Sequence, residues 1–195
     1  MFIDVRDSFL TPDELARVDQ EVSNISWPKV FTRADSYMRE NNDIANLPVM
    51  RELYHKFSTP KFLKEISHKF DVPGVCPDPY MIGAGYSEIK NQGDLKPHID
   101  FNWNDELKLH RVASLIIYLT DHDGGNLVFE NYQTVGTFRN RAVLFPHSET
   151  IRHFVTPVNG IRRSLRFFYY ASKLEAPEGY HRSLYGIRDG KPTDV

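Results

Sequence analysis

The chain changes its grammar at Asp71-Val72-Pro73-Gly74, and that change limits what it can fold into more than any other feature. From residue 75 onward, short apolar or alternating runs recur at 79–90, 95–101, 108–120, 126–130, 134–138, 141–146, 151–158 and 162–171. Turn-forming residues separate them, most strongly Asp123-Gly124-Gly125-Asn126 and Asn159-Gly160. Val112 to Leu119 is nearly unbroken apolar sequence, as a strand covered on both faces requires. A succession of about eight short strands predicts a jelly roll or a related double-sheet β-fold.

Before the change the periodicity is helical. Thr11-Pro12-Asp13-Glu14 is a helix start, and Leu15, Val18 and Val22 continue it as a stripe to about Ser23. Met50, Leu53, Tyr54 and Phe57 repeat the spacing, and Thr59-Pro60 restarts it with Phe62, Leu63, Ile66 and Phe70. These stripes predict a helical layer packed on a sheet. Residues 2–10 read as a short extended lead-in. Residues 26–48 read as polar and irregular, and the stretch from Ala176 as a polar tail, packed or mobile.

A length of 195 residues suits one domain over 1–195, with a helical part at 1–72, a β-roll at 75–171 and a tail at 172–195. A net charge of −2 gives no basic surface that would call for nucleic acid or an acidic membrane. No segment approaches the ~20 consecutive apolar residues of a membrane helix, and the start MFIDVRDSFL lacks the pattern of a signal peptide. With one cysteine, Cys76, no internal disulfide can form, which suits a reducing compartment; a cytoplasmic location is expected.

The residues that could carry chemistry sit in the β-region. In LKPHIDFNW, His98 and Asp100 are two positions apart, so on an extended strand they point to one face. An imidazole and a carboxylate placed so can reach one metal ion. A third ligand must come from elsewhere, and His153 is the candidate; His147, in LFPHSET, reads as an exposed loop residue after a strand end. Two histidines and a carboxylate on one face of a metal hold non-haem iron(II) and leave positions open for oxygen chemistry. In GIRRSLRFFYY, alternation puts Arg162, Ser164, Arg166 and Phe168 on one face. That face is either surface or a polar cavity in which a guanidinium holds a carboxylate, and spacing does not decide between them.

Taken in order, Tyr86, Gly93, His98-Ile99-Asp100, Arg111, Tyr118-Leu119, Gly124-Gly125-Asn126-Leu127, Leu144-Phe145-Pro146, His153, Val155-Thr156-Pro157-Val158, Gly160 and Arg162-Arg163-Ser164 form a set. The set resembles the iron(II)- and 2-oxoglutarate-dependent dioxygenases, and within them the prolyl-4-hydroxylase-like branch. The resemblance covers roughly residues 79–171, with a looser echo at His181 to Arg188. It implies a double-stranded β-helix (jelly roll) with the N-terminal helices on its larger sheet. It implies that His98, Asp100 and His153 are the metal triad, and that Arg162 pairs with the distal carboxylate of 2-oxoglutarate, with Ser164 beside it. Tyr118 would donate to the same carboxylate, Tyr86 would line the cosubstrate pocket, and Phe168 would stand near the substrate entrance. Tyr118 and Phe168 could equally be core aromatics.

The implied cofactor is Fe(2+), with 2-oxoglutarate and O2 as cosubstrates and ascorbate as an accessory. The implied reaction hydroxylates an unactivated C–H bond with release of succinate and CO2. The family's halogenases carry a small residue where this chain has Asp100, so the aspartate argues for hydroxylation. A prolyl residue in a peptide is the first candidate substrate; a free amino acid or other small metabolite is the alternative, and a non-catalytic jelly-roll binding protein is the alternative of another class. Arg111 and Arg166 could meet an acidic group or be structural ion-pair residues. One conflict is local: Asn159-Gly160 alone predicts a hairpin joining 153–158 to 161–170, whereas the resemblance implies a crossing between opposite sheets.

Overall fold

The computed structural model describes residues 3–33, 36–90, 92–104, 107–130, 133–147, 151–172, 184–188 and 191–194. The extended lead-in contains strand β1 (Asp4–Arg6), and α1 spans Pro12–Asn24. Its cap is reciprocal: Thr11 accepts from the Glu14 amide and Glu14 accepts from the Thr11 amide. Residues 26–48, expected to be irregular, instead contain β2 (Lys29–Arg33) and β3 (Ser36–Asn41), an antiparallel hairpin. Its polar sequence hid it, because β3 pairs with a sheet edge rather than filling an apolar core.

Helices α2 (Pro48–Phe57) and α3 (Pro60–Phe70) follow at the predicted places. No side chain of its own caps α2. Glu21 of α1 does so instead, accepting from the Val49 and Met50 amides at 2.8 and 2.9 Å, where a negative charge also suits the helix dipole.

The β-region begins with β4 (Cys76–Pro77). A strand over 79–84 does not form, because the Asp78 carboxylate accepts from the Tyr80 and Ile82 amides and bends the chain into a turn. Regular pairing starts at β5 (Gly85–Lys90) and continues through β6 (Leu95–Ile99), β7 (Trp103–Asn104), β8 (Leu109–Tyr118), β9 (Asp123–Gly124), β10 (Leu127–Phe129), β11 (Gln133–Val135), β12 (Ala142–Pro146), β13 (His153–Val155), β14 (Val158–Asn159), β15 (Ile161–Ala171), β16 (Leu184–Arg188) and β17 (Lys191–Asp194).

Two antiparallel sheets result. The larger, of nine strands, runs β1-β12-β8-β15-β5-β3-β2, with β4 on β15 and β7 on β8. The smaller, of six strands, runs β11-β10-β13-β6-β16-β17, and β14 pairs with β9 apart from both. Because β13 lies in the small sheet and β15 in the large one, the chain crosses between sheets at Asn159-Gly160, and the local hairpin expectation is overturned. Strand β14 turns to pair with β9 before the crossing, so 153–158 cannot run on as one arm of a hairpin. Of the C-terminal stretch, 173–183 lies outside the described residues, including His181 of the expected echo; 184–188 and 191–194 form the strand pair at the edge of the small sheet.

Alternation along the large sheet assigns its two faces. Leu115 and Ile117 of β8 and Leu165, Phe167 and Tyr169 of β15 pack with Val18, Met50, Leu53, Phe57 and Ile66 of the helices in one apolar cluster. On the other face Tyr118, Val143 and Phe145 pack with Leu127, Phe129 and Ile151 between the sheets. The space between the sheets that is not filled this way is a cavity in which His98, Asp100, Arg111, His153, Arg162 and Arg166 stand among apolar side chains.

Candidate active site

Strands β6 and β13 pair so that His98 and His153 are direct partners, with ring centroids 4.5 Å apart. Asp100 follows just past the end of β6 on the same face. The His98 Nε2 atom lies 3.5 Å from Asp100 Oδ1, and His153 Nε2 lies 3.5 Å from Asp100 Oδ2. One ligand atom from each of the three lies within 4.8 Å of the others, so they could hold one metal ion.

The backbone prepares both histidines in the same way. His98 Nδ1 faces the Lys96 carbonyl at 2.7 Å, and His153 Nδ1 faces the Ile151 carbonyl at 3.3 Å. A carbonyl only accepts, so each Nδ1 carries the proton and each Nε2 lone pair is left for the cavity. Burial and the neighbouring His98 push His153 down to about 4, so it is a neutral imidazole, the form that binds metal.

Asp100 is held ionised. Burial favours its neutral acid, but the Arg111 guanidinium outweighs this and keeps the carboxyl well below its ordinary range. Arg111 Nη2 donates to Asp100 Oδ2 at 3.2 Å and to Ser114 Oγ at 2.7 Å. Its guanidinium is buried, 3.3 Å from the ring centre of Phe168 and 4.6 Å from that of Phe101. Ser114 Oγ is also 2.7 Å from His147 Nε2, whose own distance to Asp100 Oδ2 is 3.5 Å.

That placement corrects the reading of His147 as an exposed loop residue: its side chain is only 6% exposed. It follows directly after β12, whose last residues are still paired with β8, so the ring falls inward onto Ser114. Burial and the nearby Arg111 push its basicity well down, so it too is neutral.

The far end of the cavity belongs to Arg162, which β15 points inward with Ser164, Arg166 and Phe168 as alternation requires. The sequence left this face open between surface and cavity; Arg162 is 4% exposed and Ser164 1%. Arg162 Nε donates to the Gly125 carbonyl at 3.1 Å, and its guanidinium lies 4.9 Å from the centre of the Tyr118 ring. Among the described residues no carboxylate pairs with Arg162. The buried Tyr118 hydroxyl likewise has no hydrogen-bond partner among them. A buried cation and an orphaned donor side by side form a receptor for an anion. Ser87 and Ser164 complete the wall through a 2.8 Å contact between their hydroxyl oxygens.

Tyr86 is not brought to the cavity. It lies on the helix-facing side of β5, and its hydroxyl donates to Glu21 Oε1 at 2.8 Å. Register explains the misplacement: Tyr86 sits opposite Leu165, one position out of phase with Ser87 and Ser164, which do face the cavity. The sequence reading also missed Glu40 of β3, a buried carboxylate paired with Arg166. Only the alternation of β3 against an already known β5 could have pointed to it.

Comparison with known proteins agrees with this architecture. Among curated proteins none matches the chain by sequence. The structure resembles the viral collagen prolyl hydroxylase of Paramecium bursaria Chlorella virus-1, solved with 2-oxoglutarate, at 18% identity and a TM-score of 0.61, covering 88% of this chain and 97% of that one. It resembles a Pseudomonas putida prolyl-4-hydroxylase at 15% identity and a TM-score of 0.63, covering 87% and 92%. HygX from Streptomyces hygroscopicus, solved with nickel, 2-oxoglutarate and hygromycin B, is similar at 12% identity and a TM-score of 0.61, covering 87% and 83%. At such identities the likeness establishes a shared double-stranded β-helix. The sequence match itself spans residues 84–170, from the start of β5 to the end of β15 and so across all three converging ligand candidates and Arg162. Over those residues the chain matches the family model of the 2OG-Fe(II) oxygenase superfamily.

Proposed function

We propose that residues 1–195 act as one catalytic domain, a dioxygenase in which His98, Asp100 and His153 hold iron(II), and Arg162, Tyr118 and Ser164 receive 2-oxoglutarate. The observation that carries this is the convergence of the three ligand candidates within 4.8 Å in the same cavity as a buried Arg162 with which no carboxylate among the described residues pairs. The residues fit both groups. Two imidazoles and one ionised carboxylate on one face suit a ferrous ion, and the Arg162–Tyr118 pair supplies the donors that a dicarboxylate needs at its far end.

Iron(II) with 2-oxoglutarate and dioxygen supplies the oxidation, in which 2-oxoglutarate becomes succinate and CO2 while an unactivated C–H bond is hydroxylated. The protein's own part is positioning. The Lys96 and Ile151 carbonyls fix which nitrogen of each histidine is free. Arg111 holds Asp100 ionised and oriented. Arg162, itself steadied by the Gly125 carbonyl, sets the depth at which the cosubstrate lies. Phe168 and Phe101 close on Arg111 and keep water from that side.

The resemblance to solved prolyl hydroxylases favours a prolyl residue as substrate, with a free amino acid or other small metabolite as the second candidate. The test is anaerobic loading with iron(II) and 2-oxoglutarate, then oxygen and a substrate panel while succinate is measured. Retained iron and substrate-stimulated succinate are expected. A chain that holds no iron and consumes no 2-oxoglutarate would be a binding protein of the same fold instead.

A further inference from the structure

Three guanidinium groups line one cavity, from Arg111, Arg162 and Arg166. Two carboxylates oppose them, Asp100 against Arg111 and Glu40 against Arg166. A divalent metal would add two positive charges and a 2-oxoglutarate dianion would cancel them. The cavity then keeps one net positive charge with both occupants in place, in a setting where charge is poorly screened.

Arg166 is the group best placed to use that surplus. It sits between Ser164 and Phe168 on the cavity face of β15, between Arg162 and the Arg111–Phe168 contact. Its Nη2 donates to Glu40, while its Nε is buried with no hydrogen-bond partner among the described residues. Arg111 is committed differently, since one nitrogen serves both Asp100 and Ser114 and its plane is covered by Phe168. Glu40 belongs to the β2–β3 hairpin at the sheet edge, so the Arg166–Glu40 pair joins the cavity wall to an edge element.

We propose that the primary substrate carries a carboxylate and that Arg166 receives it. This rests on the dioxygenase reading and adds the substrate's charge to it. The carboxylate could be the free end of a small acid or an acidic side chain of a peptide, and the chemistry of recognition is the same.

The experiment uses the full chain saturated with zinc(II) and 2-oxoglutarate, so that no turnover occurs, and follows acetate and acetamide by saturation-transfer NMR. Acetate should bind and acetamide should not. Arg166→Gln should weaken acetate by about tenfold or more, the loss expected for a hydrogen bond to a charged group. Glu40→Gln, which releases Arg166 from a competing carboxylate, should tighten acetate about threefold or more. The opposite signs guard against a variant that merely unfolds, and Arg166→Lys should fall between wild type and Arg166→Gln. N-acetylglycine and a blocked Gly-Asp-Gly peptide then compete with acetate. Displacement by the first marks a free terminal carboxylate, displacement by the second an acidic side chain, and displacement by neither overturns the inference. If 2-oxoglutarate binds but acetate does not, or if acetate ignores both substitutions, this inference fails alone. If 2-oxoglutarate itself does not bind, the dioxygenase reading fails with it.

Discussion

His98 and His153 are 55 residues apart in sequence and directly opposite each other in the antiparallel pairing of β6 and β13. Their protonated Nδ1 atoms both face backbone carbonyls two residues upstream, so their free nitrogens converge on Asp100. Asp100→Ala and His153→Ala should each abolish stoichiometric iron(II) retention and leave succinate formation at background. Metal analysis and a succinate assay on the same samples check this. Full succinate formation by Asp100→Ala would refute the triad.

Arg162 lies at the other end of the cavity and should act on cosubstrate affinity more than on metal binding. Arg162→Ala removes donors from a charged carboxylate, which costs about 1.5–3 kcal/mol, or roughly a 10- to 150-fold rise in the 2-oxoglutarate Kd. Zinc(II) affinity should change little. Titration calorimetry of each ligand separates the two, and equal loss of both would point to a misfolded site.

Gly125 couples the turn after β9 to that arginine. Its φ is +61°, and a Cβ there would stand 2.9 Å from His122 and 3.0 Å from Arg162 Cδ. Gly125→Ala therefore meets both a left-handed backbone penalty of about 1–2 kcal/mol and a steric push on Arg162. Lower thermal stability together with weaker 2-oxoglutarate binding is expected. An unchanged Kd for 2-oxoglutarate would show that Arg162 is positioned without the Gly125 contact.

Tyr86 provides the contrasting case. Its hydroxyl serves Glu21, which caps α2, and not the cavity. Tyr86→Phe should cost about 1 kcal/mol, a Tm drop of about 2–4 °C for a chain of this size, with the 2-oxoglutarate Kd unchanged. Glu21→Ala should cost more, about 1–3 kcal/mol, because two helix amides lose their acceptor as well. A raised 2-oxoglutarate Kd in Tyr86→Phe would return this residue to the pocket.

Acid stability should depend on Asp4, which ties β1 to α3. Burial alone would favour its neutral form, but bonds from Arg6 at 2.6 Å and Lys69 at 2.7 Å outweigh this and hold it below the ordinary carboxylate value. A depressed folded pKa means the stabilisation is complete above the unfolded value of ~3.9 and disappears as pH falls through the folded one. The Tm gap between wild type and Asp4→Asn should therefore narrow as pH drops from about 6 to about 3. A gap of constant width would show that Asp4 acts through packing alone.

Much of this protein was legible without coordinates because the relevant signals are local. The Thr11 cap, the stripes of α2 and α3 and the alternation of β15 depend on residues within a turn or two of each other, and all three appear as the sequence predicts. The spacing of His98 and Asp100 likewise fixed a shared face before anything else was known, since side chains two apart on an extended chain must agree.

Tertiary structure decided what depends on a partner strand. Whether Arg162 was skin or cavity and on which face of β5 Tyr86 would lie were questions of register, which a shift of one residue reverses, whereas hairpin or crossing at Asn159-Gly160 turned on which strands pair. His147 and Glu40 came to rest against cavity-lining residues, Ser114 and Arg166, for a related reason: neither carries a local signal, and each is positioned by the strand its neighbours pair with. The sequence by itself determined which side chains travel together along one strand. Only the fold decided which strands face one another, because pairing energy is spread over long-range contacts that no short window contains.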